Sequence, residues 1–372
     1  MAALSLLCAC ISPSLILAQK VTDEVAVSRK CWNFPTDAAP ESGLASDITA
    51  VFFAAAGGRI SAVETVSGKN AWNAELGGRA VSNILVHGSD VIAVTAPVAE
   101  AGKEGTASLR SLSKATGIVN WTVPVRLSER YFLGTTPSGL ISVSSEGDVK
   151  LLGYQGGFPL WDRSLSGQLA APPHIDAVYV IVPIRSGKTH VISAVNGSVV
   201  STFESTPRVQ SQARVAERWV VSGDDRGNLI VNNFLTGKLQ WKFKAGAKWT
   251  YVEGTKFGIA AVSADNFVYM LSVEHGSVIW KRRLPGRVSG VPALSDSYVI
   301  IASYGENTAH VIDLANGRIV NQITLGENNS FTESPVLISD DSFAAATNSG
   351  ISLWSFVPCA PNQKAALNVP PK

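Results

Sequence analysis

The stretch 219-WVVSGDDRGNLIVNNFLTGKLQWKF-243 decides the fold. An apolar run enters an Asp/Gly turn, a second run LIVNNF follows, and a Thr-Gly pair leads into LQWKF. Apolar residues alternate with period two and form no 3.6-residue stripe, which predicts β-strands. The Thr-Gly pair predicts a tight turn, because Gly takes φ > 0 without steric cost. The same order of parts recurs in 258-GIAAVSADNFVYMLSVEHGSVIWKR-282 and in 299-VIIASYGENTAHVIDLANGRIVNQI-323.

Working outward, seven segments align on a Gly four residues before an aromatic or its substitute. They are 67-SGKNAWNAE-75, 116-TGIVNWTVP-124, 156-GGFPLWDRS-164, 196-NGSVVSTFE-204, 236-TGKLQWKFK-244, 275-HGSVIWKRR-283 and 316-NGRIVNQIT-324. The aromatic position falls at Trp72, Trp121, Trp161, Ser201, Trp241, Trp280 and Asn321, in steps of 49, 40, 40, 40, 39 and 41 residues. A near-constant period of 40 with four short strands per unit predicts the blades of a β-propeller.

Forty residues before Trp72 stands Trp32, in 31-CWNFP-35, a strand with no partner strand beside it in the sequence. At the other end, 333-ESPVLISDD-341, 342-SFAAATN-348 and 350-GISLWSFV-357 supply three strands that lack a fourth. The two ends therefore complete one blade, and the ring closes without an open seam. Counting Trp32 gives eight four-stranded antiparallel blades, an all-β fold. Cys31 and Cys359 then fall on neighbouring strands of that blade, about 5–6 Å apart at Cα, as a disulfide requires. Such a bond closes a loop of more than 300 residues, and it is expected to stabilise the fold by a few kcal/mol.

Apolar residues make up 46% of the 372, charged ones 16%, and the net charge is +2. This leaves ample material for a core and gives no electrostatic reason to expect nucleic acid. Outside the N-terminus no apolar run approaches the roughly 18 residues of a membrane-spanning helix. The opening 1-MAALSLLCACISPSLILAQK-20 reads as an export signal over 1–18 with Ala18 before the cleavage point, although no Lys or Arg precedes its apolar stretch. Leu7-Cys8-Ala9-Cys10 also resembles a lipobox, which would anchor the mature chain through Cys10. Export leaves two cysteines, Cys31 and Cys359, in an oxidising compartment. The organisation expected is a lead at 19–30, a propeller at 31–360 and a flexible tail at 361–372.

The pattern in 62-AVETVSGKNAW-72 and 230-IVNNFLTGKLQW-241 resembles the repeat of the PQQ-like (pyrroloquinoline-quinone-type) β-propellers. In size the chain is similar to the eight-bladed bacterial BamB-like proteins, periplasmic scaffolds of outer-membrane protein assembly. The resemblance implies that Trp32, Trp72, Trp121, Trp161, Trp241 and Trp280 dock between blades. Ser201 and Asn321 depart from the motif, so an irregular contact is expected at those two blades. The resemblance also raises a quinone-dependent dehydrogenase as an alternative. Such enzymes are longer and carry adjacent cysteines and a Ca²⁺ site; the mature chain has no vicinal cysteine pair and no calcium-loop motif. No cofactor is expected.

Other chemistry finds no support in the residues. His87, His174, His190, His275 and His310 lack metal-ligand spacing. Asp224-Asp225 reads as turn chemistry, 186-SGKT-189 lacks the leading Gly of a phosphate loop, and no G-x-S-x-G elbow occurs. Asn120, Asn196 and Asn328 head sequons that matter only in a eukaryotic secretory pathway.

Two features suit binding. Lys242, Lys244, Lys281, Arg282 and Arg283, with Lys238, Lys248 and Arg287, form a basic stretch over two blades. It suits an anionic partner, such as lipid headgroups or an acidic protein face, or simply a solvated surface. An insertion in 95-TAPVAEAGKEGTAS-108, with Glu100, Lys103 and Glu104, projects from the face that carries the inter-blade loops. The expected function is a monomeric, exported protein-interaction scaffold of the cell envelope with peripheral membrane association. A small-ligand sensor using the channel mouth is the further alternative.

Overall fold

Eight sheets stand around one axis, all antiparallel, and seven of them pair their strands in chain order from the axis outward. The computed structural model describes residues 28–97, 106–216, 218–286, 288–303, 307–326 and 329–359. The leader at 1–18 with Cys10, the 361–372 tail, Arg287, Asn328, and Glu100, Lys103 and Glu104 of the insertion lie outside the described residues.

Blade five shows how the repeat becomes structure. Its strands are Val209–Val215, Trp219–Asp224, Asn228–Asn233 and Leu239–Lys244. The two middle strands are covered on both sides by neighbouring blades, so they read as apolar runs; the outermost alternates exposed and half-buried residues. The core consequently lies between blades: Phe52, Trp72, Ile84, Val91 and Leu112, for example, join the first two. Blade two divides its innermost strand into Arg79–Ala80 and Leu85–His87, both paired with Asp90–Ala96. At the break, the Asn83 carboxamide accepts from Leu133 N at 2.8 Å and donates to Leu133 O at 3.1 Å, as a strand neighbour would.

The last blade is assembled from both ends of the chain. Val336–Ser339, Ser342–Thr347 and Gly350–Ser355 are joined by Arg29–Phe34 as the outermost strand. Trp32 pairs with Leu353 and Phe34 with Ile351. Cys31 and Cys359 form a disulfide with Cα atoms 5.6 Å apart. Cys359 itself is not on a strand: pairing ends at Ser355, and Pro358, which has no N–H to donate, stands between.

A β-bulge sits at one position in every blade. The register between the two outer strands skips one residue immediately before the repeat's tryptophan position, at 71, 120, 160, 200, 240, 279 and 320, and at Cys31. A bulge turns the following side chain and sharpens the local twist. Here it aims residue 32, 72, 121 and each counterpart at the next blade.

Candidate interaction surfaces

The bulged tryptophans make one contact repeatedly. Each indole N–H donates to a main-chain carbonyl in the following blade: Trp32 to Thr65 at 2.8 Å, Trp72 to Lys114 at 2.7 Å, Trp121 to Tyr154 at 2.9 Å, Trp161 to Ala194 at 3.2 Å, Trp241 to Val273 at 2.8 Å and Trp280 to Leu314 at 2.9 Å. The ring lies flat against the glycine of that blade's turn. A Cβ on Gly317 would stand 2.5 Å from the Trp280 ring, and Gly317 also holds φ at +69°. Only glycine meets both demands.

Two interfaces differ, each for a visible reason. Between blades four and five, Ser201 Oγ donates to Phe234 O, the carbonyl an indole would have used. Phe203, two residues on, meets Gly237 in place of the indole. A second tie forms beside it: Arg214 Nε lies 3.0 Å from Asp176 Oδ2, and the guanidinium covers the Tyr179 and Phe234 rings at 5.2 and 5.9 Å. Burial opposes ionisation of Asp176, but hydrogen bonds from His174 and the Val178 and Tyr179 amides, with the Arg214 charge, hold its carboxyl down at about 2. Asn321 faces blade eight, where no Thr-Gly turn exists because the two outer strands come from opposite termini. There is no glycine there for an indole to cover.

The basic stretch divides between two grooves. Residues of an outermost strand point alternately toward the preceding and following blade. Lys242 and Lys244 pair with Ile230 and Asn228 and share their side, toward blade four. Lys281 and Arg283 pair with Tyr269 and Phe267 and lie toward blade five, with the Lys281 ammonium 5.2 Å from the Phe267 ring. Arg282 turns the other way, and its Nε donates to Gly317 O at 2.5 Å. Lys244 Nζ donates to Arg226 O. Lys242, Lys281 and Arg283 are left exposed to solvent. The strands Leu239–Lys244 and Val278–Arg283 carry five cations and no carboxylate.

The remaining sequence features take structural places. Asp224 Oδ1 accepts from the Arg226 and Asn228 amides at 2.9 and 2.7 Å, so it builds its turn. Ser186 and Gly187 form a hairpin turn between Tyr179–Ile184 and Lys188–Ser193. His275 is exposed in a turn beside Glu274. Among the described residues, no three His, Cys, Asp or Glu side chains converge as a metal site would require. On the innermost strand of blade six, burial pushes the Glu253 carboxyl above its ordinary range, with the His174 charge opposing. Sequence reasoning missed Asp176, Arg214 and Glu253, because nothing local links strands 38 residues apart.

A family model described as outer membrane protein assembly factor BamB matches residues 23–171, 145–268 and 185–357. The protein of that name from Moranella endobia (strain PCIT) is 23% identical over 241 residues, 56% of this chain and 62% of its own length. That of Yersinia pestis is 22% identical over 252 residues, 59% of this chain and 64% of its own. The chain thus spans less than two thirds of these curated relatives. The crystal structure of BamB from Moraxella catarrhalis superposes with a TM-score of 0.66 at 15% identity, covering 88% of this chain and 99% of that one, a likeness of fold. With a match that runs from the first described strand to the last, the chain belongs to the PQQ-like repeat propeller family described as outer membrane protein assembly factor BamB.

Proposed function

We propose that this protein is a non-enzymatic scaffold of the cell envelope that holds protein partners during outer-membrane protein assembly. The family match over the whole ring carries this reading. The relatives' name supports the process, and the Cys31–Cys359 disulfide, with the leader's composition, supports an oxidising compartment outside the cytoplasm. A closed ring offers a wide surface that needs little ordering on association, which keeps the entropic cost of binding low. Partner contact falls to the exposed cations Lys242, Lys281 and Arg283, and to the insertion with Glu100, Lys103 and Glu104.

The test is capture of the tagged full-length protein from its own envelope, together with the level of outer-membrane β-barrel proteins after its deletion. The reading expects assembly components in the capture and a fall in the barrels. Capture without assembly components and unchanged barrel levels would remove it. Charge reversal at Lys242, Lys281 and Arg283 should weaken that capture while leaving the melting temperature unchanged.

A further inference from the structure

The two faces of the ring differ in what they expose. Strands of a blade run alternately up and down, so the turn from third to fourth strand falls on the same face in every sheet. Val66, Ile118, Phe158, Val195 and Leu235 stand in that turn in blades one to five, each more than half exposed. Ile279 and Ile319 stand at the start of the outermost strand in blades six and seven, and Val357 follows the third strand of blade eight. All three are exposed as well. The connections on the opposite face expose one large apolar side chain among the described residues, Leu127.

Single exposed apolar residues are ordinary on a protein surface. One at the same corner of every blade, against one on the whole opposite face, is a pattern. Because each blade repeats the turn, the eight tips come to one level around the axis. A protein partner would meet an arc of such a rim, whereas a flat and continuous surface meets all of it. The chain also enters the ring here: the strand Arg29–Phe34 begins on this face, with Arg29 paired to Ser355. An anchor at Cys10 would therefore tether the ring by this side. The insertion after Asp90–Ala96 leaves from the other side, since it joins second and third strands.

We infer that this rim docks on a lipid bilayer, with its aliphatic and aromatic tips buried at the headgroup boundary and the opposite face turned toward partners. The inference goes beyond the scaffold reading and does not depend on it. Attachment is apolar in kind. Lys69, Lys238 and Arg318 are exposed on the same face, but so are Glu64, Glu274 and Asp340, and the charges offset one another. The lysine and arginine stems can lie along the apolar tips while their heads reach phosphate. This surface is separate from the cations Lys242, Lys281 and Arg283, which lie farther along the outermost strands.

The experiment is hydrogen exchange of the full-length protein, read by mass spectrometry, with and without phosphatidylcholine vesicles. Turns at 65–69, 114–118, 153–158, 194–198 and 234–238 should exchange at least about threefold more slowly on vesicles. The opposite turns at 145–147, 185–187, 225–227 and 264–266 should not change. The slowing should persist in about 0.5 M salt, where attraction between charges is screened. Ile118→Asp together with Phe158→Asp, both at exposed sites, should abolish the slowing at 114–118 and 153–158 with the melting temperature unchanged. The inference is overturned by equal exchange with and without vesicles, by slowing on both faces alike, by slowing that salt removes, or by a double variant slowed as the parent is. Slowing that follows protein concentration without lipid identifies a second copy as the occupant and overturns it equally.

Discussion

The indole nitrogen of Trp32 lies 2.8 Å from the carbonyl oxygen of Thr65, across the boundary between the last blade and the first. Trp32 is completely buried, and a Cβ on Gly68 would stand 2.6 Å from its ring. Thirty-two residues into the chain, a strand contributed from the N-terminus makes the same contact that five other blades make with strands from within. The closure is therefore a full repeat interface and not a patch over a gap.

Replacing the glycine under an indole should break that interface. Gly68→Ala and Gly317→Ala each add a methyl group where a ring lies, at φ of +68° and +69°. We expect each to cost about 2–4 kcal/mol, from backbone strain and overpacking together. Denaturant unfolding checks this, and a loss below about 0.5 kcal/mol would contradict the docking geometry.

Blades four and five should depend on the arginine that supplements the missing tryptophan. Arg214→Ala removes the Asp176 partner and the cover over Tyr179 and Phe234. A loss of about 1–3 kcal/mol is expected, with much of it shared with Asp176→Asn in a double-mutant cycle. Purely additive losses would show that the two residues act apart.

Acid should loosen the tie between the first two blades. Burial opposes ionisation of Asp47, yet the Lys114 ammonium at 2.6 Å and bonds from Thr49 and the Ala50 amide bring its carboxyl down from 3.8 to about 2. A depressed folded value means that the stabilisation is complete above about pH 4 and is lost as pH falls toward 2. Because the pair is partly solvated, the effect is held below about 1 kcal/mol. Melting temperature against pH should show a shallower decline over this window for Lys114→Ala than for the parent; equal slopes would exclude the pair as the cause.

The ring was legible because its packing rule is written in sequence spacing. An indole needs a glycine beneath it, and both recur every 40 residues or so, which fixes blade number and reveals the split blade. The bulge before each tryptophan was not legible, since a skipped residue leaves the period unchanged. Nor was the separation of Lys242 from Lys281 and Arg283, which depends on which blade face each alternate residue meets. Ser201 and Asn321 looked alike as departures but have unlike causes: one interface substitutes Phe203 and Arg214, while the other has no turn to receive a ring. Cys359 was expected on a strand, and Pro358 instead carries it past the end of pairing. Asp176 with Arg214 joins two blades through side chains whose sequence context suggests nothing.

Ring closure by the two termini is tested most directly by peptide mapping of the native protein without reduction. The account predicts one disulfide-linked peptide pair joining Cys31 to Cys359, 328 residues apart. It also predicts a loss of a few kcal/mol when both are changed to serine. Recovery of Cys31 and Cys359 as free thiols from protein handled under oxidising conditions would contradict it.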